Sequence, residues 1–282
     1  MTRNLTVGVR MERTLSIVLA ILAVVTVVFV AAVSLTLFMG MTYRATLSST
    51  YEYRVSITND VPLGNVTLFL PIPEKGPGIS AILEEIGAGG LQGLPQGWTT
   101  SLIGTRKFTM LEVTAPAIAP TGAGKPYLLS ANATVPGPID TKNAGTDDLV
   151  LEPTAEMTPV PCGDTVSQAS PEASCMVYEG PVYAAFTGPS EAHLRIFIFV
   201  DGTNSWDVFG PSSNEYQDGL QAGFSGGAQG WKTGEGILVT GIGDYGIDFW
   251  VGWATMPAAG SSQSRPVHPV RQAPAHGRGA PA

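Results

Sequence analysis

An uninterrupted apolar run, TLSIVLAILAVVTVVFVAAVSLTLFMGM from Thr14 to Met41, constrains this chain more than any other feature. It contains no charge and no proline. As a helix rising about 1.5 Å per residue its 28 positions reach some 40 Å, more than the roughly 30 Å of hydrocarbon in a bilayer. The run therefore predicts a single transmembrane helix over 14–41. Arg3, Arg10 and Arg13 precede it against one acid, Glu12, and the nearest cation beyond it is Arg44. Excess arginine on that side predicts a cytoplasmic N-terminus, 1–13, and an extracellular remainder of a cell-membrane protein. Two rivals fit less well. A cleaved signal has an apolar core of about 7–15 residues and a small-x-small cut site. Here the core is nearly twice as long, and Val33 interrupts the window Ala31-Ala32-Val33-Ser34. A pilin-like filament subunit is suggested by Gly8 followed by Glu12, but Arg10 and Arg13 would then fall inside a helix that should already be apolar.

Beyond the anchor, Ala45–Gly260 carries five Lys and three Arg against 22 acids, a balance of 8 − 22 = −14. That charge disfavours nucleic acid and anionic lipid heads as partners. It suits a solvated acidic surface. Cys162 and Cys175 are the chain's two cysteines; in an exported domain such a pair most often closes a disulfide. A zinc site lacks ligands, since His193 is the one histidine between the anchor and residue 260. The sequons Asn65-Val-Thr67 and Asn132-Ala-Thr134 are glycosylation candidates in strand-like stretches.

Period-two, β-rich segments recur between turn formers, which predicts a mainly β fold, an antiparallel sandwich-like ectodomain of one or two subdomains. In YEYRVSIT, Tyr51, Tyr53, Val55 and Ile57 take one face. NVTLFL (65–70), KFTMLEVT (107–114) and YLLSANATV (127–135) come next, with one short helix expected over Ile79–Ile86. This makes 45–135 a first β-rich region. Residues 136–181 read as a Pro/Gly-rich linker holding the cysteine pair, with one apolar island at Leu149–Leu151. A second β-rich region spans 182–260: HLRIFIFV (193–200), a hairpin turn at Asp201-Gly202, a returning strand over 204–209, strands within 215–224 and 236–240, and a last strand over 246–256. The tail 261–282, with three arginines and no acid, is expected to be disordered.

Several strings imitate catalytic motifs. Gly223-Phe224-Ser225-Gly226-Gly227 spells G-x-S-x-G, but no helical pattern comes after Ser225 and the only later histidines, His268 and His276, lie in the tail. Gly241–Gly246 spells G-x-G-x-x-G without the helix, strand and acid that a dinucleotide fold requires. Asp201, Thr203, Ser205 and Asp207 alternate oxygen-bearing side chains around the expected turn, so Asp201 and Asp207 are calcium candidates, although the EF-hand spacing is not met. Asp201, Glu235, Asp244 and Asp248 are candidate carboxylates for an envelope hydrolase acting on polysaccharide or peptide. Trp98, Trp206, Trp231, Trp250 and Trp253 could line a glycan platform, but large aromatics of a sandwich are expected in its core, to which Trp231 is available.

The succession NSWDVFG, NEYQDGLQ, GGAQGWKTGEGILVTG within 193–243, together with the anchor-then-YEYRVSIT layout, resembles a group of membrane-anchored, acidic exported proteins of methanogenic and halophilic archaea. The resemblance implies location and lineage, and transfers no functional residue. The expectation is a membrane-tethered domain with a structural or binding role at the cell surface, no cofactor and no catalytic activity. Its expected partners are the bilayer and a cell-envelope protein or glycan. The envelope hydrolase and the filament subunit stand as alternatives.

Overall fold

The computed structural model describes residues 5–105, 108–122, 125–227 and 229–245. The strand expected over 246–256, with Asp248, Trp250 and Trp253, and the tail with His268 and His276 lie outside the described residues. The apolar run forms α1, Leu5–Thr46. Its flanks from Leu15 to Phe38 are exposed and apolar nearly all round. Within it the hydroxyls of Thr26, Thr36 and Thr42 donate to the carbonyls of Leu22, Ala32 and Phe38 at 2.8–2.9 Å, so no polar side chain among these is left unsatisfied in an apolar surrounding.

The chain then forms β1 (Ser48–Asn59), β2 (Leu63–Pro71), α2 (Ala81–Gly87), β3 (Thr99–Gly104), β4 (Thr109–Ile118), β5 (Tyr127–Val135), α3 (Ala144–Asp147), β6 (Thr158–Val160), α4 (Asp164–Ala169), β7 (Ser174–Thr187), β8 (His193–Asp207), β9 (Pro211–Ser225) and β10 (Gln229–Gly243). The helix expected at 79–86 is α2. Ser80 caps it by accepting the Leu83 N–H at 3.1 Å.

The described strands join one antiparallel sheet in the order β3-β4-β2-β7-β10-β9-β8-β1-β5, with β6 paired to β7. Inward and outward positions alternate along β1 and β8; Tyr51, Tyr53, Val55 and Ile57 of β1 point inward as their spacing requires. The sheet is curled. In the strand order β1 stands five places from β2, about 24 Å in a flat sheet, yet the Tyr53 hydroxyl of β1 donates to the Pro71 carbonyl of β2 at 3.1 Å. Its two arms thus share one interior, and residues from β1 to β10 fall in a single buried apolar cluster.

Part of that interior is filled by a segment of the expected linker. Ile139, Ala144, Leu149, Val150 and Leu151 are buried in the common core. This backbone runs through apolar surroundings without strand neighbours on both sides, so its N–H and C=O groups need other partners. Side chains on the inner face of the sheet supply them. Asn204 of β8 accepts from the Ile139 N–H and donates to its carbonyl, both at 2.8 Å. Tyr216 of β9 donates to the Leu149 carbonyl, and Asp218 of β9 accepts from the Leu151 N–H at 2.7 Å. Val150 exchanges backbone bonds with Glu74 at 3.0 and 3.2 Å.

The hairpin expected at Asp201-Gly202 is not formed. β8 runs straight through these residues and turns at 208–210, with Asp207 opposite Pro211. Gly202 is present because the Tyr216 ring occupies its inner side: a β-carbon there would lie 2.1 Å from the ring. The dipeptide marks a close approach inside a strand, a contact to a residue on the neighbouring strand.

Candidate functional site

Three surfaces bear on function: the junction with the helix, the outer face of the sheet, and the cleft beside it. At the junction only Leu47 separates α1 from β1. Tyr43 of α1 and Trp206 of β8 pack edge to face with ring centroids 5.6 Å apart, joined by Leu47 and Val208. Beside them the Thr46 hydroxyl accepts the Asp207 N–H at 3.0 Å, while its own proton is shared between the Thr42 carbonyl of the helix at 2.8 Å and the Asp207 carbonyl at 3.2 Å. The helix is therefore docked on the domain by aromatic packing and the Thr46–Asp207 contact, with one residue between helix and strand.

The sequence candidates do not converge. Asp201, Thr203, Ser205 and Asp207 lie on the outer side of one straight strand, so Asp201 and Asp207 are about 20 Å apart along β8 and cannot share a cation. No group of three or more His, Cys, Asp or Glu residues suited to a metal occurs among the described residues. Asp201 pairs across the strands with Glu52 and Gln217, whereas Glu235 pairs with Glu179 and Gln221. That places the two acids roughly 16 Å apart on the same face. Asp244 comes just after the end of β10 and donates its N–H to the Ser213 carbonyl at 2.9 Å. Ser225 ends β9 before the turn into antiparallel β10, without the helix that a nucleophile elbow needs. Gly241 and Gly243 sit at the other end of β10 with φ of 76° and 100°.

Cys162 and Cys175 form a disulfide, with the sulfurs 2.02 Å apart, that ties the segment just after β6 to the start of β7. Asn65 and Asn132 are both exposed; Asn65 has φ of 48° at the irregularity where β2 leaves register with β7.

Trp98 and Trp206 are buried, but Trp231 is not: 54% of its surface is exposed. It stands on the outer face of β10 opposite Tyr183 of β7, which is opposite Phe69 of β2. The three positions form a row across the strands, and their rings close into a compact cluster. Phe69 and Tyr183 stack at 4.9 Å, Tyr183 and Trp231 meet at 5.3 Å, and Phe69 and Trp231 at 5.9 Å. The row continues to Glu112 of β4 and Ser101 of β3, whose hydroxyl donates to the Glu112 carboxylate at 2.5 Å. A parallel row of Thr67, Thr114 and Thr99 borders the rings on one side. On the other side, four residues along β7 and β10, Glu179 and Glu235 face each other and line an open cleft of about 610 Å³ with Glu156 and Thr158. Sequence reasoning missed this row because Phe69, Tyr183 and Trp231 come from three distant segments. Outward parity on each strand was the available signal, and it requires the register to be known.

Two carboxyls are perturbed. Burial pushes Asp218 up to about 7, partly offset by the Leu151 N–H and the Tyr178 hydroxyl that it accepts. Partial burial pushes Asp201 up to about 6, against a hydrogen bond from Thr203 that lowers it. Asp218 is fully buried and its two oxygens are taken up by the core segment and by Tyr178.

These features define a mainly β protein, one curled antiparallel sheet behind a long N-terminal apolar helix that is a candidate membrane anchor. No protein-family model, no curated protein and no solved structure matches the chain.

Proposed function

We propose that this chain is a single-pass cell-membrane protein with a cytoplasmic N-terminus, whose extracellular β domain has a structural or binding role at the cell surface and no catalysis of its own. The observation that carries the reading is the docked junction. A helix apolar on all sides needs an apolar surround. This one enters the domain with a single intervening residue and is held by Tyr43, Trp206, Thr46 and Asp207. A domain fixed in this way presents a constant face away from the bilayer. The arginines before the helix favour export of the chain beyond it, and a disulfide suits an oxidising compartment. The acidic surface supports solubility and argues against nucleic acid as a partner. Because the interior is packed by the chain's own 139–151 segment, a partner is met on the outer surface.

Crosslinking intact cells with a membrane-impermeant reagent, followed by mass spectrometry, tests the reading. Recovery of an envelope protein or glycan attached to β-domain residues is expected. Recovery of cytoplasmic partners alone, or of none from the envelope, contradicts it.

A further inference from the structure

The row of Phe69, Tyr183 and Trp231 lies far from the helix junction. From Trp231 to its end at Gly243, β10 extends about 40 Å, and that far end pairs with Asn214 near the start of β9, on the side where β8 meets α1. The bilayer that receives α1 therefore does not cover these rings. Their neighbours also choose among other occupants. Glu112, Thr67, Glu179 and Glu235 offer carboxylates and a hydroxyl, whereas Lys232 beside Trp231 is turned over the Phe224 ring and donates to the Gly223 carbonyl at 2.9 Å, so carboxylates dominate around the rings. Such a surface repels anionic polymers. It suits a ligand with apolar C–H faces edged by hydroxyl donors, because ring faces stack on C–H surfaces while carboxylates accept from hydroxyl groups.

Building on the surface-binding reading, we propose that this membrane-distal row is a platform for an uncharged polysaccharide. A pyranose face stacks on Trp231, the half-exposed ring that Tyr183 and Phe69 back, and the chain continues past Pro181 and Thr233 toward the Glu179/Glu235 cleft. The distance from the rings to that cleft, about 13 Å along the strands, calls for an extended chain and not a single sugar. Trp231, half exposed with its partners already packed beside it, is ordered before the ligand arrives, which lowers the entropic cost of binding.

The test uses the full chain in lipid nanodiscs, co-sedimented with insoluble chitin and cellulose and competed with chitohexaose, with dextran sulfate as an anionic control. Retention on at least one neutral polymer is expected, with none on dextran sulfate. Trp231→Ala and Tyr183→Ala should each weaken retention about tenfold or more, the loss of one aromatic contact at a binding centre. Trp231→Phe, which keeps a ring face, should retain most of it, separating lost stacking from lost folding. Phe209→Ala, at an exposed aromatic of the turn between β8 and β9, at the end away from the rings, should change nothing. Failure to sediment with either neutral polymer overturns the proposal, as does equal loss in Phe209→Ala. Binding that appears only after Asn65→Gln would put the chain's own glycan on the rings and overturn the external polymer. The assay needs no cell, so its failure leaves the crosslinking result intact.

Discussion

Replacing Asp218 with asparagine should remove a pH dependence built into the core. Asp218 has no exposed surface; its two oxygens accept the Leu151 N–H at 2.7 Å and the Tyr178 hydroxyl at 2.6 Å. Burial raises its carboxyl from 3.8 to about 7. Between about pH 4 and pH 7 the folded protein holds a proton that the unfolded chain has released, so this group's contribution is fully present below about pH 4. It is lost as pH rises through about 7, where the curve levels off. At about 1.4 kcal/mol per pH unit the window corresponds to roughly 4 kcal/mol, an order-of-magnitude figure. The asparagine side chain would imitate the protonated carboxyl: its carbonyl accepts from Leu151 and its N–H donates to the Tyr178 oxygen, because a hydroxyl rotates and a backbone N–H does not. Denaturant unfolding of the full chain in detergent, from pH ~4 to ~8, should show wild type losing stability relative to Asp218→Asn as pH rises. The difference cancels the contribution of Asp201 and the surface carboxylates. Parallel curves for the two proteins would mean that burial does not raise the Asp218 carboxyl in the fold.

Gly202→Ala forces a β-carbon to within 2.1 Å of the buried Tyr216 ring and should cost about 3 kcal/mol or prevent folding, whereas Gly223→Ala, with no atom within 4 Å, should stay within about 0.5 kcal/mol; urea midpoints compare them. Replacing both Cys162 and Cys175 with Ser opens a loop of separation 13 and should cost about 3 kcal/mol, measured against the oxidised protein in the same titration. Trp206→Ala removes the ring that holds Tyr43; a loss of about 3 kcal/mol and faster proteolysis near Leu47 are expected.

Much of the architecture was legible because the physics behind it is local. Thr14–Met41 has no charge to interrupt a helix, and strands with one buried face must alternate, so Tyr51 to Ile57 could be assigned inward from their spacing. Legibility ended where a residue answers to a distant partner. Gly202 beside Asp201 reads as a turn until the Tyr216 ring is seen against it. The segment around Leu149–Leu151 reads as a linker island because its backbone is satisfied by Tyr216 and Asp218, groups some 67 residues away. Trp231 reads as core because large aromatics usually are, and only the β7–β10 register turns it outward beside Tyr183. The candidate site is a product of strand register, which propensity and periodicity do not specify.

Protease added to intact cells, with an epitope placed before Arg3 and detection of both halves, tests most directly whether α1 holds the β domain outside the cell. Everything beyond Arg44 should be digested while the N-terminal epitope survives on a short membrane-bound fragment. Protection of the whole chain until the cells are lysed would place the domain inside.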